Sequence, residues 1–389
     1  MNDGPIPAGP TEITPAWLTA ALRAGDAIRR VAVTSAAVEV IGQDRGFTGV
    51  VARVRLRYDG VEARAPASVV VKLPIAARDT PSAYRAARQA NPVVERRSIE
   101  RCAREIAFYQ QVVRIGPLPV PRLYYGAADL AGARMALVLE DGRSARAGDA
   151  LHGCAPEDAP RVIEQIAQVH AQWWEHPARH TLDWIPTWGG DPWVAQDRYS
   201  ALVEPFLTRF GDRVPVSVRR LIDGLGNHYA GIRRALARVP STLIHGDLHL
   251  DNILFQPPGE DPDVLIIDWQ SVMWGPVVLD LAPFLVGSLA IETRRARELE
   301  ILRRYHDRLV ARGVDSYPLA RLREDFRLAL LCHLGATVIW LGSVALDGLA
   351  GRERALVDDV VGSGRLFTAL DDYELVEDFA FLLPTVARK

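Results

Sequence analysis

Two short stretches of the sequence combine acidic and amide side chains at a fixed spacing. Asp247 lies five residues before Asn252, and Asp268 ends the apolar run 264–267. Transfer of a phosphoryl group is mainly a matter of positioning and charge neutralisation. Such a site therefore needs one carboxylate facing the nucleophile and separate oxygen ligands for Mg²⁺. Asp247, Asn252 and Asp268 are of the right types for those three places, and their pattern indicates a phosphotransferase.

Lysine is rare in this chain, and one lysine ends a predicted strand. Among the 46 basic residues only Lys72 and Lys389 are lysines, and Lys72 follows the strand-like run 67–71. A compact ammonium on a flexible stem suits a close contact with the α- and β-phosphates of a nucleotide, whereas a planar guanidinium would need a different pocket. We therefore predict that Lys72 contacts the phosphates.

A glycine-containing turn and a helix flank Lys72 in the sequence. Residues 41–56 are typical of two strands joined by a turn, in which backbone amides can close over phosphates. The turn residues that we assign to the nucleotide are Gly46, Thr48 and Gly49. Their spacing does not follow the G-x-G-x-x-G pattern. Downstream, the helical segment 101–109 carries Glu105, which we expect to pair with Lys72 and fix its direction.

The residues around Asp247 also allow a different interpretation. His245, Asp247, His249 and Asp251 alternate along the chain. On an extended strand they would share one face, as the ligands of a transition-metal hydrolase do. That interpretation leaves the lysine, the helix glutamate, Asn252 and the second aspartate without roles. A catalytically idle nucleotide-binding regulator is a further alternative.

The same stretches resemble a known family. The chain resembles the aminoglycoside phosphotransferase and choline kinase superfamily of kinase-like enzymes, and within it the ecdysteroid-kinase-like branch. The resemblance extends over most of residues 11–382, and the HGDLHLDN run together with IDWQ is its specific part. The matching stretches are 46–54, 71–73, 104–109, 138–141, 168–174, 245–255, 267–270 and 275–282.

This resemblance implies a fold, an activity and residue roles. The implied fold is an α+β, bilobal protein-kinase-like fold with a small mixed N-terminal lobe and a larger, mainly helical C-terminal lobe. The implied activity is that of a small-molecule kinase that uses ATP and Mg²⁺. The implied roles are Asp247 as catalytic base, Asn252 and Asp268 as Mg²⁺ ligands, Lys72 and Glu105 as the pair that orients the phosphates, and the backbone around Glu140, Asp141 and Gly142 as the adenine site.

The sequence favours a small hydroxylated molecule over a protein as phosphate acceptor. Gly246 stands where protein kinases carry Arg before the catalytic aspartate. The stretch between Asp268 and Asp280 contains no A-P-E signature and is too short to build a platform for a peptide. We therefore predict a small-molecule acceptor such as an apolar multi-ring alcohol, an amino alcohol or an antibiotic.

Tryptophans are concentrated in one segment. Five of the nine fall between residues 173 and 193. Of these, Trp173, Trp184 and Trp188 are our candidates to wall a pocket for an apolar alcohol or to cage a quaternary amine. Packing in the core is the alternative explanation. The acidic run 371–378 is a candidate contact for a polycationic aminoglycoside, although an exposed helix face explains it equally well.

Composition argues against several other classes. The formal charge of −2 and the scattered arginines predict no nucleic-acid partner. Three widely spaced cysteines match neither a disulfide framework nor a zinc site, and the first residues do not read as a signal peptide, so we expect a cytoplasmic protein. The apolar stretch 328–346 predicts a buried helix and no membrane span. The oligomeric state is left open.

The elements that must position these residues fall into two groups. A helix capped by Thr14 and ending near Gly25 precedes strands between residues 31 and 73, a helix over 95–113 and strands over 121–139. From about residue 157 the pattern is helical, apart from the short strands near Asp247 and Asp268. We predict a nucleotide-binding lobe over 1–139, a catalytic and substrate-binding lobe over 140–389, and a hinge at 139–142.

Overall fold

The structure, a computed structural model, describes residues 6–42, 49–74, 92–130, 132, 134–347, 349 and 351–375. The chain divides into two compact units, and we describe each by itself. The first unit consists of the chain up to Arg146 together with Leu254–Ser271 and Ala345–Glu353. The second unit consists of Ala147–Ile253, Val272–Val344 and the chain from Arg354 onward. The predicted division into residues 1–139 and 140–389 stays a prediction.

The helices and strands follow one another along the chain. As far as residue 147 they are α1 (Pro15–Ala24), β1 (Val33–Ile41), β2 (Gly49–Tyr58), β3 (Ser68–Pro74), α2 (Pro92–Ala107), β4 (Leu123–Asp129), β5 (Arg134–Glu140) and β6 (Arg146–Ala147). Beyond it they are α3 (Asp158–Gln172), α4 (Pro192–Phe210), α5 (Val216–Leu236), β7 (Thr242–Ile244), β8 (Ile253–Phe255), β9 (Val264–Ile266), β10 (Met273–Gly275), α6 (Val278–Ser288), α7 (Ile291–Val310), α8 (Leu319–Ser343), α9 (Gly351–Gly362) and α10 (Arg365–Asp372).

The first unit is built on an antiparallel sheet with the strand order β1-β2-β3-β5-β4. The alternation of residue types along β2 decides which face is buried. Ala52 and Val54 are fully enclosed, whereas Arg55 is exposed on the other face. Strand β3 pairs with β2 on one side and with β5 on the other, and Lys72 lies in the part of β3 that is paired on both sides. The sheet therefore holds the backbone of Lys72 rigidly.

Helix α1 begins and ends where the sequence predicts. The Oγ1 atom of Thr14 accepts a hydrogen bond from the backbone N–H of Trp17 (3.2 Å), and Pro15 occupies the first turn, where a missing N–H costs nothing. Gly25 follows the last helical residue. Trp17 and Leu18 are buried in the same core cluster as the sheet. This helix therefore closes one side of the first unit's core.

Helix α2 is held against segment 268–271. The ring of Phe108, just after the helix, stacks on the ring of Trp269 with centroids 4.4 Å apart and an interplanar angle of 8°. Arg101 donates from Nη2 to the hydroxyl oxygen of Ser271 (2.7 Å). These contacts fix α2 next to the loop that carries the second aspartate of the predicted site.

The second unit is mainly helical and contains the antiparallel pair β7 and β10, in which Ile244 lies opposite Met273. The predicted apolar helix over 328–346 is part of α8. By length and composition alone α8 could cross a membrane, but 61% of its most apolar window is buried inside the protein. Such burial is typical of a core helix, and the predicted absence of a membrane span stays a prediction.

Helices α5 and α8 approach each other closely at Gly335. Tyr229 of α5 is almost fully buried, and a Cβ atom on Gly335 would overlap its ring. Gly226, in the interior of α5, has no described atom within 4 Å of the position that a Cβ would take, apart from the backbone of its own helix and its two chain neighbours. Close packing therefore explains the glycine at 335 but not the one at 226.

We predict that Gly335→Ala lowers the free energy of unfolding by about 1–3 kcal/mol, because the Tyr229 ring must move. The matched control, Gly226→Ala, should raise it by about 0.5–1 kcal/mol, since alanine favours a helix interior and has room there. Urea unfolding of the two variants measures both effects. Equal effects would contradict the close approach at Gly335.

Candidate active site

Lys72 lies between two carboxylates inside the first unit. Its Nζ atom is 2.6 Å from Oε2 of Glu105 and 2.5 Å from Oδ1 of Asp268. The Glu105 side chain is almost fully buried, while 16% of Lys72 and 26% of Asp268 remain exposed. The contact of Lys72 with Glu105 that the sequence predicts is present, and Asp268 joins it. Strand β3, helix α2 and the loop after β9 thus meet at one ammonium group.

The two carboxylates keep Lys72 charged. Burial by itself would lower the pKa of the Lys72 ammonium, but Asp268 and Glu105 more than offset it and hold this pKa well above its ordinary value. Burial is also the largest influence on Glu105, and it raises the pKa of that carboxyl against the opposing effect of Lys72. A protonated amine is both a donor and a positive charge, and contact with phosphate oxygens requires both.

Asp268 has an unusual backbone conformation. Its φ of 65° lies in the left-handed region, where residues other than glycine are strained and which recurs at functional sites. Its Oδ2 atom accepts a hydrogen bond from Nε2 of Gln270 (3.1 Å), while Oδ1 faces Lys72. The strained turn therefore aims both carboxylate oxygens at defined partners. Sequence reasoning missed this conformation, because nothing in the residue types marks it.

The predicted phosphate turn is described only in part. Gly46 and Thr48 lie outside the described residues. Gly49 begins β2, and a Cβ atom there would come within 2.7 Å of the carbonyl oxygen of Leu73. The close approach of β2 to β3 therefore requires this glycine for packing, and its predicted contact with phosphates stays a prediction.

The predicted adenine segment begins at Glu140, the last residue of β5. The Oε2 atom of Glu140 accepts a hydrogen bond from the backbone N–H of Arg122 (3.2 Å). The buried carboxylate of Asp141 accepts hydrogen bonds from Nε of Arg53 (3.0 Å) and from the hydroxyl of Ser68 (2.7 Å). Both side chains thus make structural contacts. The predicted binding of adenine by the backbone of residues 140–142 does not depend on these side chains, and it stays a prediction.

A buried carboxylate in the second unit holds the start of the HGDLHLDN run. Asp280, in the first turn of α6, is fully buried. Its two oxygens accept hydrogen bonds from the backbone N–H groups of His245 (2.7 Å) and Gly246 (2.8 Å). One of them also lies 3.2 Å from Nε2 of the buried His170. These bonds fix the backbone that leads into Asp247.

Sequence reasoning assigned no role to Asp280, although a signal was present. It is the single charged residue between positions 269 and 291. A charge in an apolar run is costly to bury unless it is paired, so its presence indicates buried hydrogen-bond donors. The sequence does not identify those donors, because they lie 34 and 35 residues away in the chain.

The predicted base and one predicted metal ligand lie in the same loop. Nδ2 of Asn252 donates to the backbone oxygen of Asp247 (3.0 Å) and lies 3.1 Å from Nε2 of His249. Because its amide hydrogens are directed to these atoms, Oδ1 is the Asn252 atom available to a metal ion. The other predicted ligand, Asp268 of the first unit, has carboxylate oxygens, and both metal roles stay predictions. These donor types fit Mg²⁺, which prefers hard oxygen ligands. The Asp247 side chain is 46% exposed, so a substrate hydroxyl can reach it.

The alternating histidines and aspartates do not form a metal cluster. Strand β7 ends at Ile244 and Leu250–Asn252 is a 3-10 turn, so residues 245–251 are not one extended strand. Asp251 instead accepts a hydrogen bond from the backbone N–H of Ala150 (3.0 Å). Within the described ranges, no group of three or more His, Cys, Asp or Glu side chains is arranged to hold a metal ion. The expectation of a shared face is therefore wrong.

The three tryptophans assigned to a substrate pocket have different environments. Trp173 is fully buried and packs against Trp274, with ring centroids 6.0 Å apart. Trp184 is partly buried and is not among the residues lining the second unit's pocket of about 710 Å³. Trp188 does line that pocket. Core packing therefore explains Trp173, and the pocket prediction retains Trp188.

We predict that Asp280→Asn lowers the free energy of unfolding by about 2–4 kcal/mol, because a buried amide N–H would face a backbone N–H. The amides of His245 and Gly246 should then exchange with deuterium faster, which mass spectrometry of the peptide containing them measures. Asp325→Asn is the matched control, since Asp325 is also fully buried but accepts from Tyr317. It should lose stability without faster exchange at 245–246, and equal exchange in both variants would contradict the role of Asp280.

Solved kinase structures share this fold. The GDP complex of an aminoglycoside 2′-phosphotransferase-IIIa mutant matches with a TM-score of 0.51 and 13% identity, covering 90% of this chain and 94% of that chain. Choline kinase from Cryptosporidium parvum matches with a TM-score of 0.52 and 10% identity, covering 89% and 93%. At these identities the likeness establishes the fold, and the predicted bilobal, kinase-like α+β class is confirmed.

Sequence relatives lead to the same superfamily. A kinase-like protein of Caenorhabditis elegans is 25% identical over 238 residues, which are 58% of this chain and 61% of the relative. The chain thus spans less than two thirds of the length of that relative. A family model described as APH, phosphotransferase enzyme family, matches residues 61–336. The predicted superfamily is confirmed, the predicted activity of a small-molecule kinase stays a proposal, and the chain belongs to the phosphotransferase enzyme family.

Proposed function

We propose that the protein transfers the γ-phosphoryl group of ATP to a hydroxyl group of a small molecule. The observation that carries this proposal is the position of Lys72, whose ammonium lies within hydrogen-bond distance of both Glu105 and Asp268. Glu105 orients the ammonium toward the α- and β-phosphates of the nucleotide. Asp268 stands beside it as a ligand for the metal that accompanies those phosphates.

Asp247 is the proposed catalytic base. Its carboxylate accepts the proton of the acceptor hydroxyl while the hydroxyl oxygen forms a bond to the γ-phosphorus. The bond between the γ-phosphorus and the β,γ-bridging oxygen breaks, and ADP leaves with that electron pair. The products are ADP and a phosphate monoester, and the proton passes from Asp247 to solvent. The exposure of Asp247 and the fixed backbone before it support this role.

Asn252 and Asp268 are the proposed ligands for Mg²⁺, which when bound neutralises charge on the phosphates. Asn252 contributes Oδ1, because its amide nitrogen is directed to Asp247 and His249. Asp268 contributes carboxylate oxygen, which its left-handed backbone holds in place. Both are the hard oxygen donors that this ion prefers.

The proposal also includes the class of phosphate acceptor, the branch of the family and the cellular location. The acceptor is a small hydroxylated molecule, not a nucleic acid or a protein, and the ecdysteroid-kinase-like branch remains the proposed subgroup. No disulfide joins any two of Cys102, Cys154 and Cys332, which agrees with the proposed cytoplasmic location.

We predict that Asp247→Asn keeps the affinity for MgATP but lowers phosphoryl transfer about 10²–10⁴-fold, because an amide cannot accept the hydroxyl proton. Calorimetric titration measures the affinity, and a screen of hydroxylated compounds for phosphorylated products measures transfer. Asp315→Asn, at an exposed loop position, is the control and should leave both unchanged. Full transfer by the Asp247→Asn variant would sink the assignment of the base.

We predict that Asp268→Ala weakens Mg²⁺-dependent ATP binding by more than about 10-fold, since it removes a metal ligand and a partner of Lys72. Titrations with and without Mg²⁺ separate the metal-dependent part of the affinity. Unchanged MgATP binding in this variant would contradict the metal role. Tight MgATP binding by the unmodified protein, without any phosphorylated product across the screen, would favour the idle nucleotide-binding regulator instead.

A further inference from the structure

The pocket of about 710 Å³ in the second unit combines aromatic walls with guanidinium groups. Its lining comes from α4, α5, α8, β10 and the segment before α4. Trp188 and Trp340 supply aromatic surface, and Ile339 adds aliphatic surface. The volume falls in the range of sites that enclose drug-sized ligands. The proposed roles of Lys72, Glu105, Asp247, Asn252 and Asp268 do not involve this pocket, and of the tryptophans assigned to substrate only Trp188 lines it.

The wall that contains Trp188 is tied to the strand next to the catalytic loop. The backbone N–H of Trp188 donates to the carbonyl oxygen of Trp274 in β10 (2.6 Å). Gly189 follows with a φ of 122°, a conformation that favours glycine, and its carbonyl oxygen accepts a hydrogen bond from Nη2 of Arg233 (3.3 Å). The wall is therefore a fixed part of the second unit.

The pairing of strands β7 and β10 brings the pocket close to the proposed base. Met273 lines the pocket and is paired with Ile244, the last residue of β7. Asp247 follows Ile244 by three residues, and three residues span at most about 10 Å. A ligand in the pocket is therefore within molecular reach of the Asp247 carboxylate.

The charged groups of the pocket favour an anion. The guanidinium carbon of Arg233 lies 4.5 Å from the ring centroid of Trp188. Arg233 lines the pocket, and its guanidinium group carries a positive charge. Arg198 adds a second positive charge to the lining. Asp191, the acidic lining residue, caps α4 by accepting from the backbone N–H of Trp193 (2.9 Å).

We propose that this pocket binds the phosphate acceptor, and that the acceptor is a hydroxylated molecule with an apolar ring body and an anionic group, as in a hydroxy acid. This inference rests on the proposed function. Trp188 and Trp340 cover the ring body, and Arg233 with Arg198 holds the anionic group. The hydroxyl group then faces Asp247, and the product is the phosphate monoester of the hydroxy acid.

A polycationic aminoglycoside does not suit this arrangement, because the two pocket arginines would repel it. In the acidic run 371–378, residues 376–378 lie outside the described residues, and Asp372 is already engaged. The carboxylate of Asp372 accepts hydrogen bonds from Nε and Nη2 of Arg295 (both 2.9 Å) and also contacts Arg294. Its negative charge is therefore already matched within the protein.

Calorimetric titration of the full chain with two pairs of probes tests the proposal. One pair is cholate and its methyl ester below the micellar concentration, and the other is a hydroxynaphthoate and its methyl ester. The members of a pair share the ring body and the hydroxyl and differ in the negative charge. We expect at least one acid to bind about 10-fold tighter than its ester, which is the size of a single charge-assisted contact.

Arg233→Gln should bring the affinities of that acid and its ester to within about 3-fold of each other, because the anion loses its partner. Arg234→Gln is the matched control, since this neighbour on α5 is exposed and does not line the pocket. It should preserve the preference. Should Arg233→Gln fail to fold, Arg198→Gln at an exposed lining position takes its place and must also reduce the preference.

Three outcomes would overturn the inference: no binding by any probe, equal affinity for each acid and its ester, or a preference for the acid that survives both pocket substitutions. Titration of MgATP into the same samples separates this inference from the proposed function. Binding of the acids without MgATP binding would defeat the kinase proposal but leave the anionic pocket. MgATP binding without any preference for the acids would defeat the anionic pocket but leave the kinase proposal.

Discussion

An ammonium group held between two carboxylates, largely out of water, is the constraint on which the first unit depends. Charges removed from solvent are costly unless each finds close partners. Strand β3, helix α2 and the loop after β9 must therefore be placed within hydrogen-bond distance of Lys72. The stack of Phe108 on Trp269, together with hydrogen bonds from Arg101 and Arg104 to segment 270–271, holds the helix and the loop in register. The sheet supplies the rigid backbone for the lysine itself.

In the second unit the buried carboxylate of Asp280 has a comparable part. Asp280 accepts two backbone N–H groups and faces His170, whose other ring nitrogen lies 2.8 Å from the hydroxyl of Tyr305. These groups are buried and hold the loop, while the carboxylate of Asp247, the proposed base, stays half exposed. In both units, then, buried charges position the side chains to which we assign the proposed chemistry.

From residue types and spacing, the proposed chemistry can be predicted more fully than the contacts between the side chains. Lys72, Glu105 and Asp268 can be selected from the sequence because phosphoryl transfer restricts which side chains will serve. Their mutual distances, and the left-handed backbone of Asp268, depend on tertiary packing that no local pattern encodes. The same limit explains the failed expectation of a shared His and Asp face, which assumed an extended strand beyond Ile244. It also explains the prediction that Trp173 lines a substrate pocket, since composition does not distinguish a tryptophan buried in the core from one that lines a pocket.

The course of the chain between the two units restricts how this protein can be divided. The chain passes from one unit to the other after Arg146, Ile253, Ser271, Val344 and Glu353. A truncation ending near residue 139 would keep Lys72 and Glu105 but lose Asp268, and would leave their buried charges without the third partner. Neither unit is therefore encoded by one contiguous stretch of the gene, and neither can be moved to another protein by exchanging a single segment.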